Sequence, residues 1–284
     1  MLNSDHVKRL ALEVGFDACG IARADRLSDD EYPLRQWLAR GWNAGMGYME
    51  RNVDMRLDPR LLVPGAQSVI CLVSAYPPPT LPLSKGESPE GGRGSIPCAK
   101  GESPEALTAA FALSRDYHRD LKAMLFALRD RLGIEAKPCC DTVPISDKHW
   151  AARAGLGVIG RHTLLITPRW GTWVNLAELV TTESCDHYDT PLKIQNPELK
   201  IQNSKFKIQT PPSCEGCNRC VAACPNRALA PDGPPMLDAR RCTSYYTTPR
   251  PRPLPPGLDT RGYTYGCDLC QLACPHNQIP TPAT

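Results

Sequence analysis

The stretch CEGCNRCVAACPN, residues 214–226, holds four cysteines in the order C-x2-C-x2-C-x3-C, and a proline follows the last of them. The two short gaps keep three thiols on one tight loop, and the longer gap carries the fourth thiol away along a helix. This spacing is typical of bacterial ferredoxins, in which the fourth cysteine ligates the other cluster of a two-cluster module. A second stretch, YGCDLCQLACPHN at residues 265–277, repeats the pattern with three cysteines. The C-terminal part of the chain is therefore predicted to be a ferredoxin-like module with two [4Fe–4S] clusters.

A count of thiols indicates where the missing ligand comes from. Two [4Fe–4S] clusters take eight thiolates, the two motifs supply seven, and Cys242 is the remaining cysteine of the module. Zinc is the alternative metal, because C-x2-C pairs also bind it, but two C-x3-C-P endings favour iron–sulfur clusters. The predicted ligand sets are Cys214, Cys217, Cys220 and Cys274 for the first cluster, and Cys224, Cys242, Cys267 and Cys270 for the second.

Composition limits the class of protein. The chain has 284 residues, 14 cysteines, a net charge of +3 and 22% charged residues, which suits an ordinary globular protein of one or two domains. No apolar run approaches the roughly 20 residues of a membrane span, and the N-terminus lacks the apolar core of a signal peptide. These two observations predict a cytoplasmic protein, and clustered cysteines in such a reducing compartment usually bind metal.

Two repeats interrupt the chain and suggest its domain boundaries. KGESPE occurs at 85–90 and again at 100–105, and a Lys-Ile repeat occupies 192–209. Such segments have little to bury, so we interpret them as insertions. The predicted organisation is an α/β (α+β) domain over residues 1–190 with an insertion at about 80–105, a repeat linker at 191–210, and the ferredoxin-like module at 211–284.

Periodicity predicts several elements of the first domain. Residues 114–133 have the pattern of an amphipathic helix that ends at Gly133 and directs Leu121, Met124, Leu125 and Leu128 to one face. The run QSVICLVSAY, residues 67–76, is typical of a strand buried on both faces. Residues 162–182 are predicted to form a hairpin with strands at 163–167 and 172–181.

Four stretches outside the cysteine motifs resemble the epoxyqueuosine reductases. They are RLDPRLLVPGAQSVICLVSAYP (56–77), SRDYHRDLKAMLFALRDRL (114–132), CDTVPISDKHWAARAGLGVIGRHTLLITPRWGTWVNLAEL (140–179) and RRCTSYYTT (240–248). The resemblance implies a cobalamin-binding reductase-like domain followed by the two-cluster module. It also implies an enzyme that reduces epoxyqueuosine to queuosine at the wobble position of tRNA, using cob(I)alamin that is reduced through the two clusters.

The same resemblance assigns roles to individual residues. Asp141 matches the proton donor of the family, although an Asp-Thr pair at this position could instead cap the turn before Ser146. Arg56 and Ser244 match positions beside the cobalamin. Leu165 and Leu176 match positions that line the corrin ring, and core packing explains both leucines equally well.

The sequence lacks the Asp-x-His-x-x-Gly motif that supplies a histidine to cobalt in many cobalamin proteins. We therefore expect base-off cobalamin without a histidine ligand from the protein, and structural roles for His118, His149 and His162.

The expected partners are the anticodon stem-loop of tRNA and an external low-potential electron donor, and the chain is expected to be a monomer with no membrane association. Basic and stacking side chains near the cysteines could contact RNA or simply form a solvated surface: Arg240, Arg241, Arg250, Arg252, Arg261, Tyr245, Tyr246, Tyr263 and Tyr265. Two other functions remain open at this point. One is a cobalamin-dependent reductase of another small substrate, such as an organohalide, and the other is a ferredoxin-like electron carrier.

Overall fold

A computed structural model describes residues 1–79, 106–113, 116–192, 214 and 216–277. The insertion at 80–105 and most of the Lys-Ile repeat lie outside these residues. The helices are α1 Ser4–Glu13, α2 Ser28–Ala39, α3 Gly47–Arg51, α4 Val53–Leu57, α5 Tyr117–Leu132, α6 Asp147–Arg153, α7 Arg219–Ala223, α8 Thr243–Thr247 and α9 Leu269–Leu272. The strands are β1 Ala18–Arg23, β2 Ser68–Ala75, β3 Leu107–Thr108, β4 Ala136–Cys139, β5 Val158–Ile159, β6 Leu165–Ile166, β7 Val174–Thr181 and β8 Tyr263–Tyr265.

A four-stranded antiparallel sheet of order β1-β2-β7-β4 forms the centre of the first domain. The apolar strand predicted at 67–76 is confirmed as β2, which lies inside the sheet and is buried along most of its length. Pro138 lies in β4 at the sheet edge, where its missing N–H costs no ladder hydrogen bond. The free edge of β1 is covered by Asp189, which bonds the backbone of Ile21.

Side chains alternate along the strands and therefore build two separate cores. Ile21, Ile70, Leu72, Ala177 and Leu179 pack under α1 and α5, and this side is called the α1–α5 face. The opposite side is called the α6 face; it packs under α2, α4 and α6 and includes Ala22, Val69, Cys71, Cys139 and Val180. The domain is thus a sheet between two helical layers.

The amphipathic helix predicted at 114–133 is confirmed as α5. The carboxylate of Asp116 accepts the His118 N–H and caps the first turn, and Gly133 ends the helix with a φ of 63°. Leu121, Leu125 and Leu128 are buried, as the periodicity predicted.

The predicted hairpin at 163–181 is wrong in its pairing. The second strand is present as β7, but it lies between β2 and β4, so both of its edges are already hydrogen-bonded. The first strand is reduced to β6, which pairs with β5 instead. A single bridge between Thr167 and Gly171 is what remains of the hairpin.

The cysteine module packs directly on the first domain. Strand β3 pairs with β8 in parallel, and the carboxylate of Asp268, next to Cys267, accepts the Ala110 N–H at 2.7 Å. Trp37 on α2 donates its indole N–H to the Leu237 carbonyl at 2.6 Å. In the described ranges, no helix combines the length and apolar character that crossing a lipid bilayer requires.

Candidate functional site

The first predicted set of cysteines surrounds one cavity. Helix α7 and the turn before it hold the first motif, and Cys274 approaches from the end of α9. The backbone N–H of Arg161 points at the Cys214 sulfur at 3.5 Å, as a donor to a ligating thiolate would. The cavity measures about 120 Å³ and is lined by Cys214, Cys217, Cys220, Cys274, Asn218, Arg219, Pro275, Arg161, His162 and His276.

The second predicted set is brought together by α7, α8 and α9. Burial raises the pKa of Cys267 to about 12, and the charges of Cys242 and Cys224 add to this rise. Burial also raises the pKa of Cys270 well above its usual range, and Cys267 and Cys242 contribute. Helix α7, which ends just before Cys224, and helix α9, which carries Cys270, pack against each other. Each cluster would displace these thiol protons, because the thiolate is the ligand.

The described residues include no group of three or more His, Cys, Asp or Glu that could hold a metal ion. The four cysteines of the first set are spread over the wall of the cavity that they line. Cys242, which sequence reasoning assigned by counting alone, lies immediately before α8, on the segment between the two motifs.

Asp141 lies in the turn that follows β4, with a φ of 52°. This left-handed conformation is uncommon for a residue other than glycine and often marks a functional position. The Tyr117 hydroxyl donates a hydrogen bond to its carboxylate, and the His118 Nε2 lies 3.2 Å from the same oxygen. The alternative reading, in which Asp141 caps the turn before Ser146, has no support in these contacts.

Tyr117 and His118 are functional candidates that sequence reasoning missed or judged structural. Burial and the neighbouring Asp141 raise the pKa of Tyr117 above its usual range, so the phenol keeps its proton. The two rings stack with centroids 4.1 Å apart. Both residues lie in the first turn of α5, and Tyr117 is 24 positions before Asp141 in the sequence. No local sequence pattern indicates that this turn contacts the loop after β4.

Arg56 on α4 lies near the same loop. Its Nη1 donates to the Ile145 carbonyl at 3.4 Å, and its Nε is buried without a hydrogen-bond acceptor in the described part of the chain. Burial lowers the pKa of this guanidinium, and the nearby Asp147 opposes that effect. An unpaired buried donor is costly, so this N–H is available to a bound molecule.

A buried pair of carboxyls lies behind this loop. Glu178 on β7 is fully buried between its strand neighbours Cys71 and Cys139, and neither of its oxygens has a donor among the described residues. Burial raises its pKa well above the usual range, and Asp147 raises it further. Burial also raises the pKa of Asp147, to about 6. Burial thus favours the protonated form of both carboxyls, a feature that the sequence did not suggest.

The other predicted cobalamin contacts are dispersed. Leu165 is buried in the core of the α6 face, and Leu176 is half-buried against it. Ser244 on α8 lies 3.3 Å from Thr248 through their hydroxyls.

The proposed Arg/Tyr surface is only partly available. Arg252 stacks on the Tyr245 ring at 4.4 Å, and Arg240 pairs with Asp238. Tyr263, which the sequence suggested as a stacking residue, is instead buried in β8, the strand that pairs with β3.

Comparison with known proteins extends across the whole chain. A family model described as "4Fe-4S double cluster binding domain" matches residues 213–277, and one described as "Epoxyqueuosine reductase QueG, DUF1730" matches residues 56–147. The epoxyqueuosine reductase of Cellulophaga algicola is 32% identical over 287 residues, covering 99% of this chain and 81% of its own.

Two solved structures are similar as well. The epoxyqueuosine reductase from Streptococcus thermophilus gives a TM-score of 0.74 at 27% identity, over 100% of this chain and 69% of its own. An epoxyqueuosine reductase solved with an epoxyqueuosine-modified tRNA-Tyr stem loop gives 0.73 at 27% identity, over 96% of this chain and 65% of its own. The double-cluster cysteines, the Asp141 loop and the sheet beneath it are thus all within matched sequence, and the chain belongs to the epoxyqueuosine reductase family.

Proposed function

We propose that this chain reduces epoxyqueuosine to queuosine in tRNA, with Asp141 as the proton donor. One observation carries the proposal. Asp141 stands on a turn within the matched region 56–147, and its carboxylate is held by Tyr117 while the two-cluster module packs on the same domain through β3 and β8. Electron transfer from the clusters to a site beside Asp141 requires the module to pack on this domain. A protein that only carries electrons does not require that packing.

Part of the predicted residue set fits a cobalamin. An amphipathic macrocycle with amide side chains suits an apolar wall and an unpaired buried donor. The Nε of Arg56 is such a donor. The half-buried Leu176, which packs against the core that contains Leu165, would supply the apolar wall, and Ser244 would add a hydroxyl. When bound, cobalamin supplies a strongly nucleophilic, reducing cobalt centre. The two cysteine sets would hold the clusters that supply electrons.

Base-off binding without a histidine ligand from the protein is part of the proposal. His118 is engaged on both ring nitrogens by Asp116 and Asp141. The Nδ1 of His162 accepts the Leu164 N–H. His149 lies 3.7 Å from Asp30, and burial lowers its pKa to about 3. The Nδ1 of His149 and the Nε2 of His162 are buried without a partner among the described residues, so the proposal rests on the contacts of His118 and on the absent Asp-x-His-x-x-Gly motif.

The work of the protein side chains is proton delivery and placement. Opening an epoxide develops negative charge on its oxygen, and a positioned acid typically contributes 10²–10⁴-fold to such a step. The Tyr117 hydroxyl orients the Asp141 carboxyl, and the tRNA anticodon loop would be positioned by the exposed arginines beside the cysteine module. We further propose a cytoplasmic monomer that receives electrons from an external low-potential donor.

The test is nucleoside analysis of tRNA from a deletion strain complemented with wild-type or Asp141→Asn protein. Wild-type protein should restore queuosine, whereas Asp141→Asn should leave epoxyqueuosine and lower kcat at least about 10²-fold while it keeps both cofactors. The control is Asp130→Asn, which changes an exposed carboxylate on α5. A deletion strain with normal queuosine would overturn the function, and a fully active Asp141→Asn would remove the assigned proton donor.

The ligand sets are tested by Cys242→Ser. Loss of one thiolate should release the second cluster, so iron content should fall from about eight to about four per chain. The matched control is Cys19→Ser in β1, outside the module, which should keep all iron. Eight irons in Cys242→Ser would show that another group completes the second set.

A further inference from the structure

The proposed reaction consumes two protons, and Asp141 can hold only one of them at a time. Removing an epoxide oxygen as water to leave an alkene takes two electrons and two protons. The first proton goes to the ring oxygen as one C–O bond breaks, and the second converts the resulting hydroxyl into water as the other C–O bond breaks. A single carboxyl holds one proton at a time, so it must be reprotonated before each turnover is complete.

Asp116 and His118 lie in line with Asp141. His118 Nε2 is 3.2 Å from the Asp141 carboxylate, and His118 Nδ1 is 2.8 Å from Asp116. The Asp116 carboxylate holds a proton on Nδ1, so Nε2 is the nitrogen that exchanges a proton with Asp141. The side chains of Asp116, His118 and Asp141 are 71%, 36% and 45% exposed, so solvent reaches the ring as well as the carboxylate that must meet the substrate.

The local fold holds this line in place. The Asp116 carboxylate caps α5 by accepting the His118 backbone N–H at 3.1 Å, which fixes it beside the ring it pairs with. The stacked Tyr117 ring limits rotation of the imidazole, and its hydroxyl holds Asp141 from the other side. Lys122, the other charge acting on Asp116, lies on the same helix.

The buried Asp147–Glu178 pair is a less suitable source. Burial favours the protonated form of Glu178, but this side chain is fully buried and has no donor group among the described residues to replenish it. A proton taken from this pair would have to be replaced through the protein interior.

We propose that His118, with its Nδ1–H held by Asp116, is a proton relay that recharges Asp141 from solvent during each turnover; the inference rests on the proposed function. Asp141 gives its proton to the substrate oxygen and becomes a carboxylate. The His118 imidazolium then gives its Nε2 proton to Asp141 and remains as the neutral ring with its proton on Nδ1, and a solvent proton returns to Nε2. No electrons move in this relay, and His118 acts as a positioning residue through Asp141.

The kinetic test uses the cofactor-loaded enzyme with modified tRNA. His118→Gln keeps a polar side chain but cannot relay a proton, so kcat should fall about 10²-fold with KM unchanged, and the solvent deuterium isotope effect on kcat should rise. Imidazole added to His118→Ala should restore turnover several-fold. Asp116→Asn should lower kcat about 10-fold, and the exposed control Asp130→Asn should match wild type.

A second readout does not depend on turnover. In ¹⁵N-histidine-labelled full-length protein with oxidised clusters, the His118 tautomer should carry its proton on Nδ1, and Asp116→Asn should shift the proton towards Nε2. An unchanged tautomer would overturn the role of Asp116. A His118→Gln enzyme with wild-type kcat, or a loss that imidazole does not restore and that leaves the isotope effect unchanged, would overturn the relay. No turnover by the wild-type enzyme would overturn the proposed function, and the relay with it.

Discussion

The two faces of the central sheet use alternate residues of the same strands, but they bury different chemistry. On the α1–α5 face, the buried strand side chains are uncharged, and the core of leucines on α5 is continuous with them. On the α6 face, β7 contributes Glu178 instead of an aliphatic side chain, and Asp147 at the start of α6 raises the pKa of Glu178 further. One face is therefore built for stability, and the other accepts a buried carboxyl pair beside the Asp141 loop.

The difference between the two faces shows that this fold tolerates the unfavourable free energy of a buried carboxyl on the α6 face. A buried carboxyl without a donor is unfavourable, and a fold keeps such a group where it serves a site. The α1–α5 face carries no comparable group among its described core residues and can be packed for stability alone.

The largest expected effect compares one substitution on both faces. Leu125→Ala on the α1–α5 face and Leu165→Ala on the α6 face each remove a buried side chain and should lower the free energy of unfolding by about 2–5 kcal/mol. Urea unfolding followed by circular dichroism measures this loss. Cobalamin retained after gel filtration should fall for Leu165→Ala only. Equal retention by both variants would make Leu165 an ordinary core residue.

A smaller effect comes from Glu178→Gln. Because burial raises the pKa of Glu178 above its unfolded value, the folded protein holds a proton that the unfolded chain releases. Wild-type stability should therefore fall as the pH rises from about 4.5 through neutrality, and Asp147, with a pKa of about 6, adds to the fall between about pH 4 and pH 6.

The amide that replaces the carboxyl in Glu178→Gln has no proton to lose in this pH range. The melting temperature of Glu178→Gln relative to wild type should thus rise between pH 5 and pH 8 by at least about 2 °C, which corresponds to about 1 kcal/mol in a chain of this size. Glu183→Gln, an exposed change just beyond β7, is the control and should show no such trend. If the difference in melting temperature between Glu178→Gln and wild type did not change with pH, Glu178 would be ionised in the folded protein.

Local patterns in the sequence predicted much of the fold. The spacing of Leu121, Leu125 and Leu128 predicted α5 and its buried side, and Gly133 marked its end. The apolar run around Ile70 predicted β2. The hairpin prediction failed because the sequence of β7 is compatible both with pairing to the preceding strand and with a central position in a sheet. In the structure β7 pairs with β2 and β4 instead.

The sequence by itself determined the cysteine spacing, the amphipathic helices and the buried strands, because these depend on contacts between residues close together in the chain. Tertiary structure alone decided that Tyr117 and His118 meet Asp141, and that α6 with Asp147 packs on β7 with Glu178. These contacts join the first turn of α5 to the loop after β4, and β7 to α6. Their residue types are common and their separations are long, so only the packing of helices on the two faces of the sheet could bring them together.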